Sequence, residues 1–159
     1  MSYIAKRHQN GNGVEEMMES ADQKHLYDDV IDLSLGDPDL NTSQIVIDKT
    51  FLDASNGYTH YAPALGDPDL IQAIKDEYLY SYNYSINTNE IMVTTSGCHA
   101  MWLVLETILD PLDEVILLAP YFTPYPEQVR LAQGKPVIVN TLPENNFELD
   151  IHDLKKAIT

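Results

Sequence analysis

The sequence predicts an α/β fold with a mostly parallel sheet, and three observations carry that prediction. From Ile91 onward, short β-branched runs alternate with segments of helical pattern. Val115-Ile116-Leu117-Leu118-Ala119 is an unbroken apolar run of the kind found in a strand buried on both faces. Residues 90–109, EIMVTTSGCHAMWLVLETIL, pass from a strand-like run through one glycine into a segment long enough to be a helix. Strands alternating with helices imply parallel pairing with right-handed crossovers, and ligands in such sheets sit outside the carboxyl ends of the strands.

The elements follow in order. Residues 1–29 are polar, broken by Gly11-Asn12-Gly13, and are expected to form an N-terminal arm with a short helix over 14–26. Residues 30–89 make a lead-in segment. In it, Val30 to Leu35 alternate like a half-buried extended run, and a helix over about 44–54 starts behind Asn41-Thr42-Ser43 as cap candidates. A second helix starts where Asp67 caps and Pro68 takes the first helical position, with Leu70, Ile71, Ile74 and Tyr78 as its stripe. Tyr78, Tyr80, Tyr82 and Tyr84 read as packing at that helix's end. The hexapeptide LGDPDL occurs at 35–40 and at 65–70 with unrelated flanks, so the local chemistry of a glycine break, an Asp cap and a Pro at a helix start is expected in both copies.

Residues 90–159 form the β-α-β-α-β part: strands at 91–94, 115–119 and 136–140, helices from Gly97, at 126–133 and at 150–158. The first strand, turn and helix make a candidate anion site, with a glycine placed there for packing alone as the other reading. A helix start offers N–H groups without intrahelical acceptors and the positive end of the helix dipole. Gly97 lets a ligand approach the backbone, and Thr95 and Ser96 add hydroxyls. Pro120-Tyr121-Phe122-Thr123-Pro124-Tyr125, after the apolar strand, places an aromatic cluster at the next strand end.

Composition narrows the partners. A chain of 159 residues is about one domain on the usual ~100–200. Its formal charge of −16 opposes nucleic acid or an anionic membrane surface, although a local cup of N–H donors still accommodates a small phosphate. The single cysteine, Cys98, allows no intrachain disulfide and fits a reducing compartment. No apolar run approaches the ~20 residues that span a bilayer, and the N-terminus has no signal-peptide core, so a cytoplasmic protein is expected.

Five collinear pieces resemble the class I/II aminotransferases of the pyridoxal-phosphate fold type I superfamily. They are LSLGDPDL from Leu33, GYTHYAPALG from Gly57, EIMVTTSGCHAMW from Glu90, LDPLDEVILLAPYFTPY from Leu109 and FELDIHDLKKAIT from Phe147, together spanning roughly 30–159. The resemblance implies the large domain of a three-layer α/β/α enzyme, incomplete here, with pyridoxal 5'-phosphate as cofactor, an amino acid and a 2-oxo acid as substrates, and a homodimer in the full-length form. Position by position, Ser96, Gly97 and Cys98 stand at the family's phosphate-binding turn. Phe122 stands where a ring stacks on the pyridine, Tyr61 at the tyrosine that reaches the partner's cofactor phosphate, and Gly36 at the glycine near the substrate carboxylate.

The same residues have simpler roles available: Phe122 as core, Tyr61 packed on Pro63, and Cys98 either as a reactive thiol at a helix N-terminus or as a small residue contributing its N–H. The family's Schiff-base lysine, pyridine-nitrogen aspartate and substrate-clamping arginine are expected beyond these residues, so no catalytic residue is assigned. The strand at 91–94 is also expected to need neighbours that come later in the family's chain. The chain therefore reads as the N-terminal part of an aminotransferase, inactive alone. A C–S lyase of the same fold, a non-catalytic aminotransferase-like module and, more remotely, a nucleotide-binding domain are the alternatives; the absence of GxGxxG and GxxxxGK[ST] weighs against the last.

Overall fold

A computed structural model describes Leu26, residues 29–31, Leu33 and residues 36–159. The predicted arm, its helix over 14–26 and much of the extended run at 30–35 lie outside the described residues. The chain forms two compact units, Asp37–Ser96 and a second that contains Gly97–Thr159.

Within Asp37–Ser96, helix α1 spans Gln44–Ser55 and helix α2 spans Pro68–Tyr82. Ser43 stands at the N-cap of α1 without a side-chain cap bond, and α1 buries none of its residues. Its own side chains support it instead: Gln44 Nε2 donates to Asp48 Oδ1 at 2.7 Å, and Thr50 Oγ1 to the Val46 carbonyl at 2.8 Å. Helix α2 starts as its sequence dictates. Asp67 Oδ1 accepts from the N–H groups of Asp69 (2.9 Å) and Leu70 (3.3 Å), while Pro68 takes a position that needs no donor. Asn83 ends the helix in the left-handed conformation, which its short polar side chain tolerates.

Two expectations fail in this unit. The first LGDPDL copy starts no helix, because α1 begins only at Gln44, six residues after Pro38. An Asp-Pro pair caps a helix only where the following residues continue in helical geometry, and Asn41-Thr42-Ser43 offer a competing start nearer the apolar residues of α1. The tyrosines at the end of α2 also pack little. Tyr80 and Tyr82 are exposed, and the one close ring pair is Tyr78 with Tyr82 at 5.5 Å.

The predicted strand at 91–94 forms no ladder among the described residues. Its one backbone bond of this kind runs from Val93 N–H to the Leu65 carbonyl at 2.9 Å, and Gly66 makes that approach feasible. With φ +121°, Gly66 occupies backbone space that L side chains rarely adopt, and a Cβ there would stand 2.5 Å from Val93 Cγ2.

In the second unit, helix α3 (Gly97–Ile108) leads to strand β1 (Glu114–Ala119), helix α4 (Pro124–Leu131), strand β2 (Lys135–Asn140) and helix α5 (Ile151–Ala157). The strands pair in parallel, from Glu114 opposite Lys135 to Ala119 opposite Asn140, as the alternation predicts. Helix α4 begins two residues before its predicted start, since Pro124 as well as Pro126 fits a first turn. Leu105, Val129 and Ala132 form the core, with Met101, Leu109 and Val115 packed around them.

Burial of β1 on both faces is not observed: Leu118 remains 42% exposed. β2 is the one strand paired with β1 among the described residues, so half of β1's ladder groups and part of its surface have no covering layer. The returning chain is held tightly at the other end. Leu112 N–H donates to the Gln133 carbonyl (2.9 Å) and Lys135 N–H to the Asp113 carbonyl (2.8 Å). Lys135 also pairs with Glu114 across the register at 2.5 Å, and that bond, helped by the Thr159 hydroxyl, holds the Glu114 carboxyl below its ordinary range.

The Gly66 contact generates a stability prediction. Gly66→Ala adds a methyl group against Val93 and strains the backbone, and is expected to destabilise Asp37–Ser96 by about 2 kcal/mol or more. Urea unfolding followed by a probe on α2 measures it, and an unchanged midpoint would show that Val93 yields freely.

Candidate functional site

The site builds from the carboxyl end of β1 and the start of α3. Gly97 is the first residue of α3, and it is exposed; a Cβ built on it meets nothing within 4 Å. The backbone N–H groups of Gly97 and Cys98 belong to the first turn, where no intrahelical carbonyl is available to them. Cys98 is half-buried and its thiol is in no disulfide. These groups, the open space beside Gly97 and the helix dipole are what a helix start has to offer an anion.

Beyond β1 the chain turns through Pro120, after a cis Ala119–Pro120 bond, into Tyr121, Phe122 and Thr123. The strand ends are tied together there: Thr141, just past β2, donates to the Ala119 carbonyl from both its N–H (2.8 Å) and its Oγ1 (2.7 Å). Phe122 is not a core residue. It is 52% exposed, with its ring edge-on to Tyr125 at a centroid distance of 5.6 Å and 80° between planes. Such a T-shaped pair fixes one ring while leaving a face of the other for a flat ligand.

Helices α3 and α4 meet at a specific polar contact. Gln128 Nε2 donates to the Cys98 carbonyl at 3.0 Å, a partly buried bond between residues 30 apart in sequence. Next to it Val129, 1% exposed, packs with Leu105 and Ala132. A cavity of about 420 Å³ lies between α3, β1 and α4, lined by Met101, Val115, Leu117, Phe122 and Tyr125 among others. Nothing in the sequence singles out Gln128. It falls in a helix without motif context, and only the packing of α4 on α3 reveals its partner.

The structure thus brings Gly97, Cys98 and Phe122 into one unit at its strand and helix ends. Ser96 and Tyr61 belong to the other unit, in which Ser96 accepts from the Thr94 hydroxyl at 2.8 Å through its carbonyl and Tyr61 is fully exposed. Tyr61 is therefore not packed on Pro63. Gly36 is exposed, with open space around the position a Cβ would take. Among the described residues no group of three His, Cys, Asp or Glu side chains could hold a metal ion, and no helix is long and apolar enough to cross a membrane.

The unit is a parallel α/β arrangement with an open helix start at Gly97 and an aromatic pair past the end of β1. The chain belongs to the aminotransferase class I and II family, whose sequence profile matches residues 28–159. Aspartate aminotransferase of Bacillus subtilis is 42% identical over 131 residues, which cover 82% of this chain and 33% of that protein. The aspartate/prephenate aminotransferase of Thermus thermophilus is 39% identical over the same length, covering 34% of it. The solved structure of Thermus thermophilus aspartate aminotransferase with maleate superimposes on all of this chain and 42% of its own, at a TM-score of 0.89 and 33% identity. The chain spans about a third of the length of the curated relatives it matches. Its neighbours are fold type I aminotransferases, and the small parallel sheet with its helices is an incomplete α/β domain of that kind.

Gly97→Asp separates folding from anion binding. A carboxylate in the first turn of α3 interacts well with the helix dipole and meets no neighbour, so the unit is expected to fold with its stability kept or raised by about 0.5 kcal/mol. The same carboxylate repels an anion, and affinity for inorganic phosphate is expected to fall about tenfold or more. Thermal unfolding and a phosphate titration of the same samples check both halves, and unchanged phosphate affinity would remove the cup from α3.

Proposed function

We propose that this chain supplies the phosphate- and ring-binding part of a pyridoxal-phosphate-dependent aminotransferase. The observation that carries the proposal is the open start of α3 at Gly97 and Cys98 in the same unit as the half-exposed Phe122 ring at the end of β1. The cofactor fits what is present: a phosphate finds backbone donors with clear space above Gly97, and a pyridine ring finds an aromatic face already braced by Tyr125. When bound, the cofactor supplies an electron sink for charge developing at the substrate's α-carbon.

This chain's own residues bind and orient. The N–H groups of Gly97 and Cys98 take the phosphate, and charge-assisted bonds of this kind contribute about 1.5–3 kcal/mol each. Phe122 sets the plane in which the ring lies. Tyr61, whose ring is fully exposed, suits a role toward a second subunit's cofactor phosphate, and Gly36, equally open, suits backbone contact with a substrate carboxylate. The reaction class is amino-group transfer between an amino acid and a 2-oxo acid, in a homodimer. The names of the relatives, aspartate and aspartate/prephenate aminotransferase, point to an acidic substrate.

No lysine or arginine of these residues matches the resemblance's Schiff-base or substrate-clamping position. Among the described residues, three lysines have partners of their own. Lys75 bonds the Thr88 hydroxyl, while Lys135 and Lys156 pair with Glu114 and Asp153. Arg130 pairs with Glu127 on an exposed face of α4. These 159 residues are accordingly expected to bind pyridoxal phosphate without fixing it covalently. After incubation with pyridoxal phosphate and dialysis, the absorbance of a lysine-bound form should be absent, while equilibrium dialysis should show the phosphate ester held more tightly than pyridoxal. Equal retention of the two compounds would contradict the cup.

A further inference from the structure

We propose that Asn56 is a site of spontaneous modification: the backbone nitrogen of Gly57 attacks its side-chain amide and converts residue 56 to aspartate and isoaspartate in the folded chain. The site lies wholly within Asp37–Ser96 and is independent of the cofactor assignment.

Residues 56 and 57 read Asn-Gly, and glycine has no side chain to shield its own N–H or to resist the rotation that ring closure needs. A Cβ at Gly57 would meet nothing within 4 Å, and Asn56 is exposed, so water and hydroxide reach both residues. Backbone bonds hold the pair in its folded geometry. Asn56 caps α1 with φ −86° and ψ 4°, and its N–H donates to the Leu52 and Asp53 carbonyls at 3.0 and 3.1 Å. Gly57 N–H donates to the Ala54 carbonyl and Tyr58 N–H to that of Asp53, each at 3.1 Å. That ψ keeps the Gly57 nitrogen away from the Asn56 side chain, so attack requires the last turn of α1 to open.

Three features make that opening easy. Helix α1 buries none of its residues, so unwinding its end uncovers no core. Its last turn carries Asp53 and no basic residue, which sets a carboxylate at the negative end of the helix dipole. Ser55 Oγ donates back to the Phe51 carbonyl at 2.7 Å, a bond that competes with the helix ladder there. Once the turn opens, the Gly57 nitrogen gives its proton to hydroxide and bonds to Asn56 Cγ. The bond from Cγ to the side-chain nitrogen breaks, and ammonia leaves with a proton taken from water. Water then opens the cyclic imide, at Cγ to give aspartate or at the main-chain carbonyl to give isoaspartate, whose main chain runs through Cβ and Cγ. Either product places a new carboxylate at the end of α1. The lengthened chain of isoaspartate also cannot keep the Tyr58 bond to Asp53, so the loop that begins at Gly57 loses its tie to the helix.

The test is peptide mapping of the whole 159-residue chain after incubation in mildly alkaline buffer. Trypsin releases residues 50–75, in which Asn56 is the one asparagine, apart from the Asn-Gly pairs at 10–11 and 12–13. A synthetic 50–75 peptide, incubated alongside, gives the rate without a fold. The chain should gain the mass of an amide-to-acid change at Asn56, with isoaspartate among the products. Its rate should lie within about tenfold of the peptide's, an opening cost under about 1.4 kcal/mol. Asp53→Gln, which removes the carboxylate from the helix end, should slow conversion about threefold. The Ile71 amide in α2, which donates to the Asp67 carbonyl at 3.0 Å, should stay protected from hydrogen exchange throughout. Conversion more than about tenfold slower than the peptide's would overturn the site. So would the same mass gain in Asn56→Gln, whose longer side chain closes the ring far more slowly. Conversion only in a chain whose Ile71 amide is unprotected would assign the reaction to the unfolded state and overturn it as well. Equal rates in Asp53→Gln and the unmodified chain would overturn the part given to the end of α1.

Discussion

The packing of Val129 is the constraint on which the functional half of this chain depends. At 1% exposure it sits in a core with Leu105 of α3 and Ala132 past the end of α4, and Val115 of β1 lies against the same cluster. One side chain thus locates two helices and a strand relative to one another. Gly134 shows how tight the arrangement is, since a Cβ there would stand 2.9 Å from Leu109 and 3.1 Å from Val129. Interiors packed this closely do not deform gradually, so the start of α3 and the end of β1 have few relative positions open to them.

That rigidity matters to the proposed function, which uses the start of α3 and the end of β1. A phosphate site made of backbone N–H groups works only if the groups are held in place before the ligand arrives, and a stacking ring contributes only if its plane is fixed. Here the core locates the elements, the Thr141 bonds to Ala119 tie the strand ends, and Tyr125 braces Phe122. A helix start offers donors to any anion; in the proposed function the Phe122 ring of the same unit is what would favour a ligand that is also flat.

Much of this was legible in the sequence, for identifiable reasons. The Asp67-Pro68 pair combines a side-chain cap with a residue that cannot donate, and the apolar stripe that follows it completes the signal for the start of α2. The parallel pairing of β1 with β2 follows from the helix between them. Gly97 at the start of α3 was legible because a strand-like run, a glycine and an apolar helix leave few alternatives. The misses are all tertiary. The run at 91–94 has strand composition, but a strand exists only with a partner, and it meets a single carbonyl of Leu65. The apolar run of β1 has the composition of a doubly buried strand, yet burial is decided by neighbours that composition cannot supply. Pro38 carries the same motif as Pro68 without starting a helix. Gln128 was invisible because its partner lies 30 residues away.

The central claim is that one rigid unit offers a phosphate cup at Gly97 and Cys98 together with a ring platform at Phe122. Intermolecular nuclear Overhauser effects between the chain and pyridoxine 5'-phosphate test it most directly. The account predicts contacts from the ligand's ring methyl group and ring proton to the Phe122 ring protons, with the methylene next to the phosphate close to the amides of Gly97 and Cys98. Contacts to residues outside this unit, or to Gly97 and Cys98 without Phe122, would contradict it.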